Sequence, residues 1–314
     1  MSFLRLITFS SLFFVLGLYI GHYKPVFFLA SFNHFKNLLN TDLFSDSIHR
    51  LENSFLNRSC DENTQFSFFT AGHTYGYHGI DYQGLYEPFM NSVLSQRCPM
   101  KLGFLLGDTV NKQSRREMGF LQRDLAKLSA DLDLDHIYIA PGNHDVGVGP
   151  YSAERDIFSE NFGKGFRSFV FKNNLFIILD AGLDGWNISG EQLNMLKRLE
   201  SSNKQYKNIF IFSHQLIWLK ANNEFKGLIP NDLSEKGGLE INFWTEVFPI
   251  LKNLKGRKFF ISGDVGLFRN GSEFFYNKYD DFNFIATGMG SGSRDNYLIF
   301  HINEGKPNVE FITF

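Results

Sequence analysis

The chain has 314 residues, with 31 Lys and Arg against 33 Asp and Glu and a formal charge of −2. A hydrophobic share of 43% with 20% charged residues supports a buried core and excludes a disordered tail. The balanced charge leaves no broad basic surface, so no nucleic-acid partner is expected.

Leu6 to Gly21 (LITFSSLFFVLGLYIG) is apolar and free of charge. A bilayer span takes about 20 apolar residues. This somewhat shorter run makes residues 1–21 a signal-anchor, with a cleaved signal peptide or a soluble helix as alternatives. Arg5 and the free amine outweigh Lys24, which favours a cytoplasmic amino terminus. The expectation is therefore a membrane-anchored protein with its body on the exported, extracytoplasmic side. There, Cys60 and Cys98 either form one bridge or remain separate thiols; two cysteines are too few for a disulfide scaffold or a CxxC zinc module. Residues 22–63 form a membrane-proximal connector with helical periodicity around Leu43, Ile48, Leu51 and Phe55.

From residue 64 onward, short apolar runs alternate with amphipathic stretches. Phe66–Thr70, Leu102–Leu106, Ile137–Ala140, Leu175–Asp180, Ile209–Ser213 and Lys258–Ser262 are predicted strands. Leu85–Gln96, Arg115–Leu132, Glu191–Leu199 and Phe243–Leu254 carry apolar residues at three- and four-residue spacing and are predicted helices. Four further strands close the chain, at Glu273–Tyr276, Asn283–Thr287, Tyr297–Ile302 and Val309–Phe314. Alternation first and strands later predict an α/β protein with two sheets packed between helices.

Five predicted strands run into short polar loops: Ala71-Gly72-His73, Gly107-Asp108-Thr109-Val110-Asn111, Pro141-Gly142-Asn143-His144-Asp145, Ser213-His214-Gln215 and Ser262-Gly263-Asp264-Val265-Gly266. Sites in open α/β sheets form outside the carboxyl ends of strands, so these loops are expected to share one rim. A set of Asp, Asn and His suits a divalent ion such as Mn²⁺, Zn²⁺ or Fe²⁺.

These motifs resemble those of the calcineurin-like metallophosphoesterases, in the order D-x-H, G-D-x-x-D/N, G-N-H-D/E, H and G-H-x-H. The similarity covers residues 64–314 and is most specific at Pro141 to Asp145 following Gly107-Asp108. It implies a four-layer α-β-β-α sandwich of two mixed sheets and a metal pair bridged by Asp108. It also implies that His144 protonates the leaving oxygen or stabilises the transition state. The chain departs from the pattern at both ends. Ala71 stands where the first Asp belongs, and Asp264 and Gly266 replace the two histidines of G-H-x-H.

Asp108, Asn143, His214 and Asp264 are thus the expected ligands of one divalent ion per chain rather than two, with His73 left to contact a phosphate or an activated water, or to serve as a remnant ligand. Whether His78 or Asp81 refills the first site stays open. His144 is the expected acid, since histidine titrates near neutral pH, with Asp145 or Asn111 orienting it. Arg294, in the stretch Gly288–Arg294, is a candidate phosphate contact.

The expected function is hydrolysis of a phosphoester, with a phosphorylated small molecule or a lipid-linked molecule as substrate. A catalytically inactive binding or assembly protein of the same fold is the alternative. The resemblance places substrate specificity in inserted loops, and here the candidate insert is 219–242, just after His214, which either covers the site or is plain surface. The 37 Phe residues are spread through every segment, which points to compositional bias rather than an aromatic binding surface.

Overall fold

Runs such as FSFFT and IFIFS bury both faces only when strands pair and sheets stack. The computed structural model describes residues 43–55, 60–76, 83–147, 149–219, 222–225, 227–232, 241–267, 272–290 and 294–314. The 6–21 stretch, His78 and Asp81 lie outside them. No described helix is long and apolar enough to cross a membrane.

In chain order, a helix over residues 43–54 (α1) leads to β1 (Thr64–Ala71), α2 (Glu87–Leu94), β2 (Met100–Leu105), α3 (Arg115–Leu132) and β3 (His136–Ile139). The single turn α4 (Asn143–Val146), α5 (Ala153–Phe162), β4 (Arg167–Phe171), β5 (Asn174–Ile178), α6 (Gly190–Ser201) and β6 (Gln205–Ser213) follow. The chain ends with α7 (Phe248–Asn253), β7 (Lys255–Ser262), β8 (Phe274–Tyr279), β9 (Phe282–Thr287), β10 (Asn296–Asn303) and β11 (Lys306–Thr313).

Two mixed sheets result, one in the order β11-β10-β1-β2-β3 and the other in the order β4-β5-β6-β7-β9-β8. The strands β1, β2 and β3 are parallel, as are β5, β6, β7 and β9. Phe68, Phe104, Phe176, Phe210, Phe212 and Phe300 fill the layer between the sheets. Phe68 and Phe300 stack at 4.9 Å and 4°, and Phe104 and Phe212 at 4.2 Å and 14°. The abundant phenylalanine is therefore in good part the inter-sheet core, where flat rings interdigitate at high density.

Phe69, Leu121, Leu128 and Phe158 bury the outer face of the first sheet under α2, α3 and α5. Leu196, Phe243, Val247 and Leu251 do so for the second sheet under α6 and α7. The four expected layers are present.

The α3 helix has its predicted bounds because Ser114 caps it, accepting the Glu117 N–H at 3.1 Å. Elsewhere the structure corrects the sequence reading. β4 was not expected; it pairs with β5 through a tight turn at Lys172 and Asn173, which both take positive φ (45° and 64°). The helix α5 was also missed, although Ser152 caps it.

The helix expected over Phe243–Leu254 is divided. Pro249 has no N–H for the usual bond, and the preceding turn, Phe243–Val247, is a π-turn in which the Val247 N–H reaches the Asn242 carbonyl at 3.2 Å. α1 packs onto the inter-sheet core through Leu51, with Phe44 meeting Phe311 edge-on at 6.1 Å. The compact unit accordingly runs from Leu43 to Phe314. Cys60 and Cys98 form a disulfide with a Cα–Cα distance of 5.7 Å, which removes the separate-thiol alternative.

Candidate active site

The loops after β1, β2, β3, β6 and β7 meet, as the parallel order requires. Backbone bonds lock them together. The Leu106 N–H donates to the Ala71 carbonyl at 2.8 Å, His73 N–H to Gly107 at 3.1 Å, Ala140 N–H to Leu105 at 2.9 Å and Gly263 N–H to His214 at 3.0 Å. His73 and Asp108 both sit in the left-handed region (φ 55° and 49°), a strained conformation that neighbouring bonds must enforce. Gly142 is required beside Asp108, because a Cβ there would stand 2.2 Å from Asp108 Oδ1.

Asp108 is the hub. Its Oδ1 lies 3.4 Å from His214 Nε2 and accepts the His144 N–H at 3.1 Å, while Oδ2 lies 3.7 Å from His73 Nε2. His214 Nε2 is also 3.7 Å from Asp264 Oδ1. The other His214 nitrogen, Nδ1, donates to the Leu106 carbonyl at 2.8 Å, which leaves Nε2 to face the carboxylates. All four side chains are buried. His214 Nε2, Asn143 Oδ1 and His73 Nδ1 have no hydrogen-bond partner, an arrangement that costs free energy unless a ligand completes it.

Burial and charge pull these groups in different directions. Burial opposes the charged form of His214, but Asp108 and then Asp264 outweigh it and hold the proton to about 10. Burial lowers His73 to about 4 against the pull of Asp108, so His73 is neutral near pH 7. For Asp108, burial is outweighed by His214 and then His73, which keep the carboxyl below its usual range. Burial raises Asp264 to about 7, with His214 opposing and Asp108 adding.

Among the described residues, no three His, Cys, Asp or Glu side chains form a metal cage by themselves. Two of the donor separations nevertheless match those around a single ion. Donors around a tetrahedral ion with bonds of about 2.1 Å stand about 3.4 Å apart. His214 Nε2 is 3.4 Å from Asp108 Oδ1 and 3.7 Å from Asp264 Oδ1, and the unpartnered Asn143 Oδ1 offers a neutral oxygen.

Among the described residues, two positions that would serve a second ion carry no ligand. Ala71 is fully buried in the apolar layer beneath α2 and α3. Gly266 has φ 96°, and a Cβ there would lie 2.6 Å from the Gly288 carbonyl carbon, so the backbone at this position does not accommodate a histidine.

Asp145 is placed differently from its expected role beside His144. Its Oδ1 accepts the Thr109 N–H (2.8 Å), the Thr109 hydroxyl (2.6 Å) and the Val110 N–H (3.3 Å), and its Oδ2 accepts the Gly142 N–H (2.8 Å). It clasps two loops together. The His144 ring is held instead by the Asn111 carbonyl, to which Nδ1 donates.

The Arg294 guanidinium, a candidate phosphate contact, stacks on Phe44 of α1 at 4.9 Å and lies 3.7 Å from Glu273. From the segment 219–242, the Asn231 N–H donates to the Asp264 carbonyl at 2.9 Å, and the Asp232 N–H approaches Asp264 Oδ2 at 3.3 Å. That segment therefore borders the site.

Tyr75 was not anticipated. Its ring centre lies 4.2 Å from His73 and 5.4 Å from His144, and it is 3% exposed. Burial, then the charges of Asp108, Asp145 and Asp264, raise its phenol well above the usual range, so it stays an O–H donor. The signal available in the sequence was only its place two residues after His73.

Neither a protein-family model nor a curated protein sequence matches the chain. Solved structures do match. A purple acid phosphatase from yellow lupin (Lupinus luteus) seeds aligns at TM-score 0.52 and 12% identity over 78% of this chain and 51% of the phosphatase. This chain thus spans about half the length of that protein. Vps29 from Entamoeba histolytica aligns more loosely, at TM-score 0.35 and 8% identity over 79% of this chain and 99% of Vps29. At such identities the likeness is one of fold alone: this chain shares a two-sheet α/β sandwich with the purple acid phosphatase.

Proposed function

We propose that this protein is a metal-dependent phosphoester hydrolase working with a single divalent ion. The observation that carries the reading is the convergence of Asp108, His214 and Asp264, with His214 Nε2 at 3.4 Å and 3.7 Å from the two carboxylates, while Asn143 Oδ1, two residues from the Asp145 clasp, is buried without a hydrogen-bond partner. These four residues would hold the ion. When bound, such an ion lowers the pKa of a coordinated water towards about 7 and polarises a phosphoryl oxygen.

The chain's own groups supply the rest. His144 keeps Nδ1–H on the Asn111 carbonyl, which fixes the ring and leaves Nε2 to carry a proton to the leaving oxygen. His73, neutral and beside Asp108, is suited to hydrogen-bond a phosphate oxygen or water without adding charge. Asp145 holds the loops of Asp108 and Asn143 in register.

The disulfide supports an oxidising compartment, and with the apolar 6–21 stretch it favours a membrane-anchored body on the exported side. Phosphorylated small molecules or lipid-linked substrates are the corresponding classes.

Protein loaded with Mn²⁺ or Zn²⁺ should bind about one ion per chain and cleave an aryl phosphate, and Asp108→Ala should lose both properties. The loss of the usual ligands at positions 71 and 266, now Ala71 and Gly266, favours the second reading, a non-catalytic binding module. That reading prevails if the protein takes up no metal from a metal-rich medium and turns over no phosphoester.

A further inference from the structure

The ligand replacements at Ala71 and Gly266 remove the second cation that would share the negative charge of a bound phosphoryl group, yet the space beside His73 is filled. Tyr75 enters it from a turn fixed by three backbone bonds: His73 N–H to Gly107 O (3.1 Å), Tyr75 N–H to Asp108 O (3.2 Å) and Gly76 N–H to His73 O (3.0 Å). The ring is wedged between the two histidines assigned to phosphate contact and proton delivery, at 4.2 Å from His73 and 5.4 Å from His144. A phenylalanine would pack there equally well. A tyrosine adds one feature, a hydroxyl on a buried side chain that feels the charges of Asp108, Asp145 and Asp264.

We propose that Tyr75 is a catalytic residue whose hydroxyl donates a hydrogen bond to a non-bridging oxygen of the bound phosphoryl group. A neutral donor thereby takes over part of the task of the missing cation. The inference rests on the phosphoesterase reading. A preorganised donor in a dry site holds a phosphoryl oxygen more strongly as its charge develops, at no cost of reorganisation. A neutral group also avoids competing with the ion at Asp108, which a lysine or arginine in the same place would do.

The test uses the full chain loaded with Mn²⁺, with inorganic phosphate as the probe in isothermal calorimetry and an aryl phosphate for turnover. Tyr75→Phe should keep the metal stoichiometry and the melting temperature. Its phosphate Kd should rise about tenfold, as expected for one hydrogen bond to a charged oxygen, and its kcat should fall at least as much. Tyr75→Leu removes the ring as well. If Tyr75→Phe binds phosphate within twofold of wild type while Tyr75→Leu does not, the ring only packs and the proposal is overturned. If wild-type protein binds neither Mn²⁺ nor phosphate, the phosphoesterase reading falls and this inference falls with it.

Discussion

Asp145→Ala should loosen the site by unfastening two loops rather than by disturbing a proton transfer. The carboxylate receives four donors between 2.6 and 3.3 Å: the N–H groups of Thr109, Val110 and Gly142 and the Thr109 hydroxyl. Alanine leaves the three N–H groups buried without acceptors, while the hydroxyl can rotate. Each stranded buried donor costs about 1–3 kcal/mol. Partial relaxation and removal of a charge that faces Asp108 offset some of this, so the net loss is about 4 kcal/mol. At roughly 2 °C per kcal/mol for a unit of this size, the melting temperature should drop by about 8 °C.

Asp145→Asn separates the parts. Its oxygen can keep the Thr109 side, but its amide then faces the Gly142 N–H, which leaves a single donor unmatched and costs about 2 kcal/mol. Thermal melts followed by circular dichroism, run with EDTA and again with Mn²⁺, measure both variants. An Asp145→Ala variant that melts within 2 °C of wild type would refute the clasp.

Four other outcomes follow from the geometry. In metal-free protein, the His214 contribution to stability should be full below pH 6.5 and fade as pH rises through about 10, where the two carboxylates lose their buried counter-charge. Because an ion must displace that proton, metal binding near pH 8 should release about one proton and tighten about tenfold per pH unit; calorimetry in buffers of different ionisation enthalpy should detect it, and zero release would count against His214 as a ligand. The double change Ala71→Asp with Gly266→His should not raise the metal content above one per chain, since Gly266 has a left-handed backbone and no room for a Cβ; two ions by elemental analysis would contradict this. Cys60→Ser with Cys98→Ser should cost about 2–4 kcal/mol, because the bridge closes a separation of 38 residues, and urea unfolding with and without reductant checks it.

Local pattern by itself determined most of the strands, the bounds of α3 and the rim on which Asp108, Asn143, His214 and Asp264 would meet. Alternating apolar runs and Gly-bearing strand ends are short-range signals, and parallel order then brings the loops to one edge. The departures at Ala71 and Gly266 were equally visible as letters. That Gly266 has a backbone unsuited to a side chain was not, because φ and the approach of Gly288 belong to the folded chain.

Tertiary structure alone decided what each polar group faces. Asp145, expected to orient His144, is a clasp because it accepts the Thr109 and Gly142 N–H groups. Arg294 meets Phe44 because α1 brings that ring against it. Tyr75 entered the site because a left-handed turn at His73 aims it between two histidines. Secondary structure follows from neighbours in sequence, but many hydrogen-bond and charge partners of a buried side chain, such as Thr109 for Asp145 and Asp108 for His214, lie far along the chain, and only the packed chain selects them.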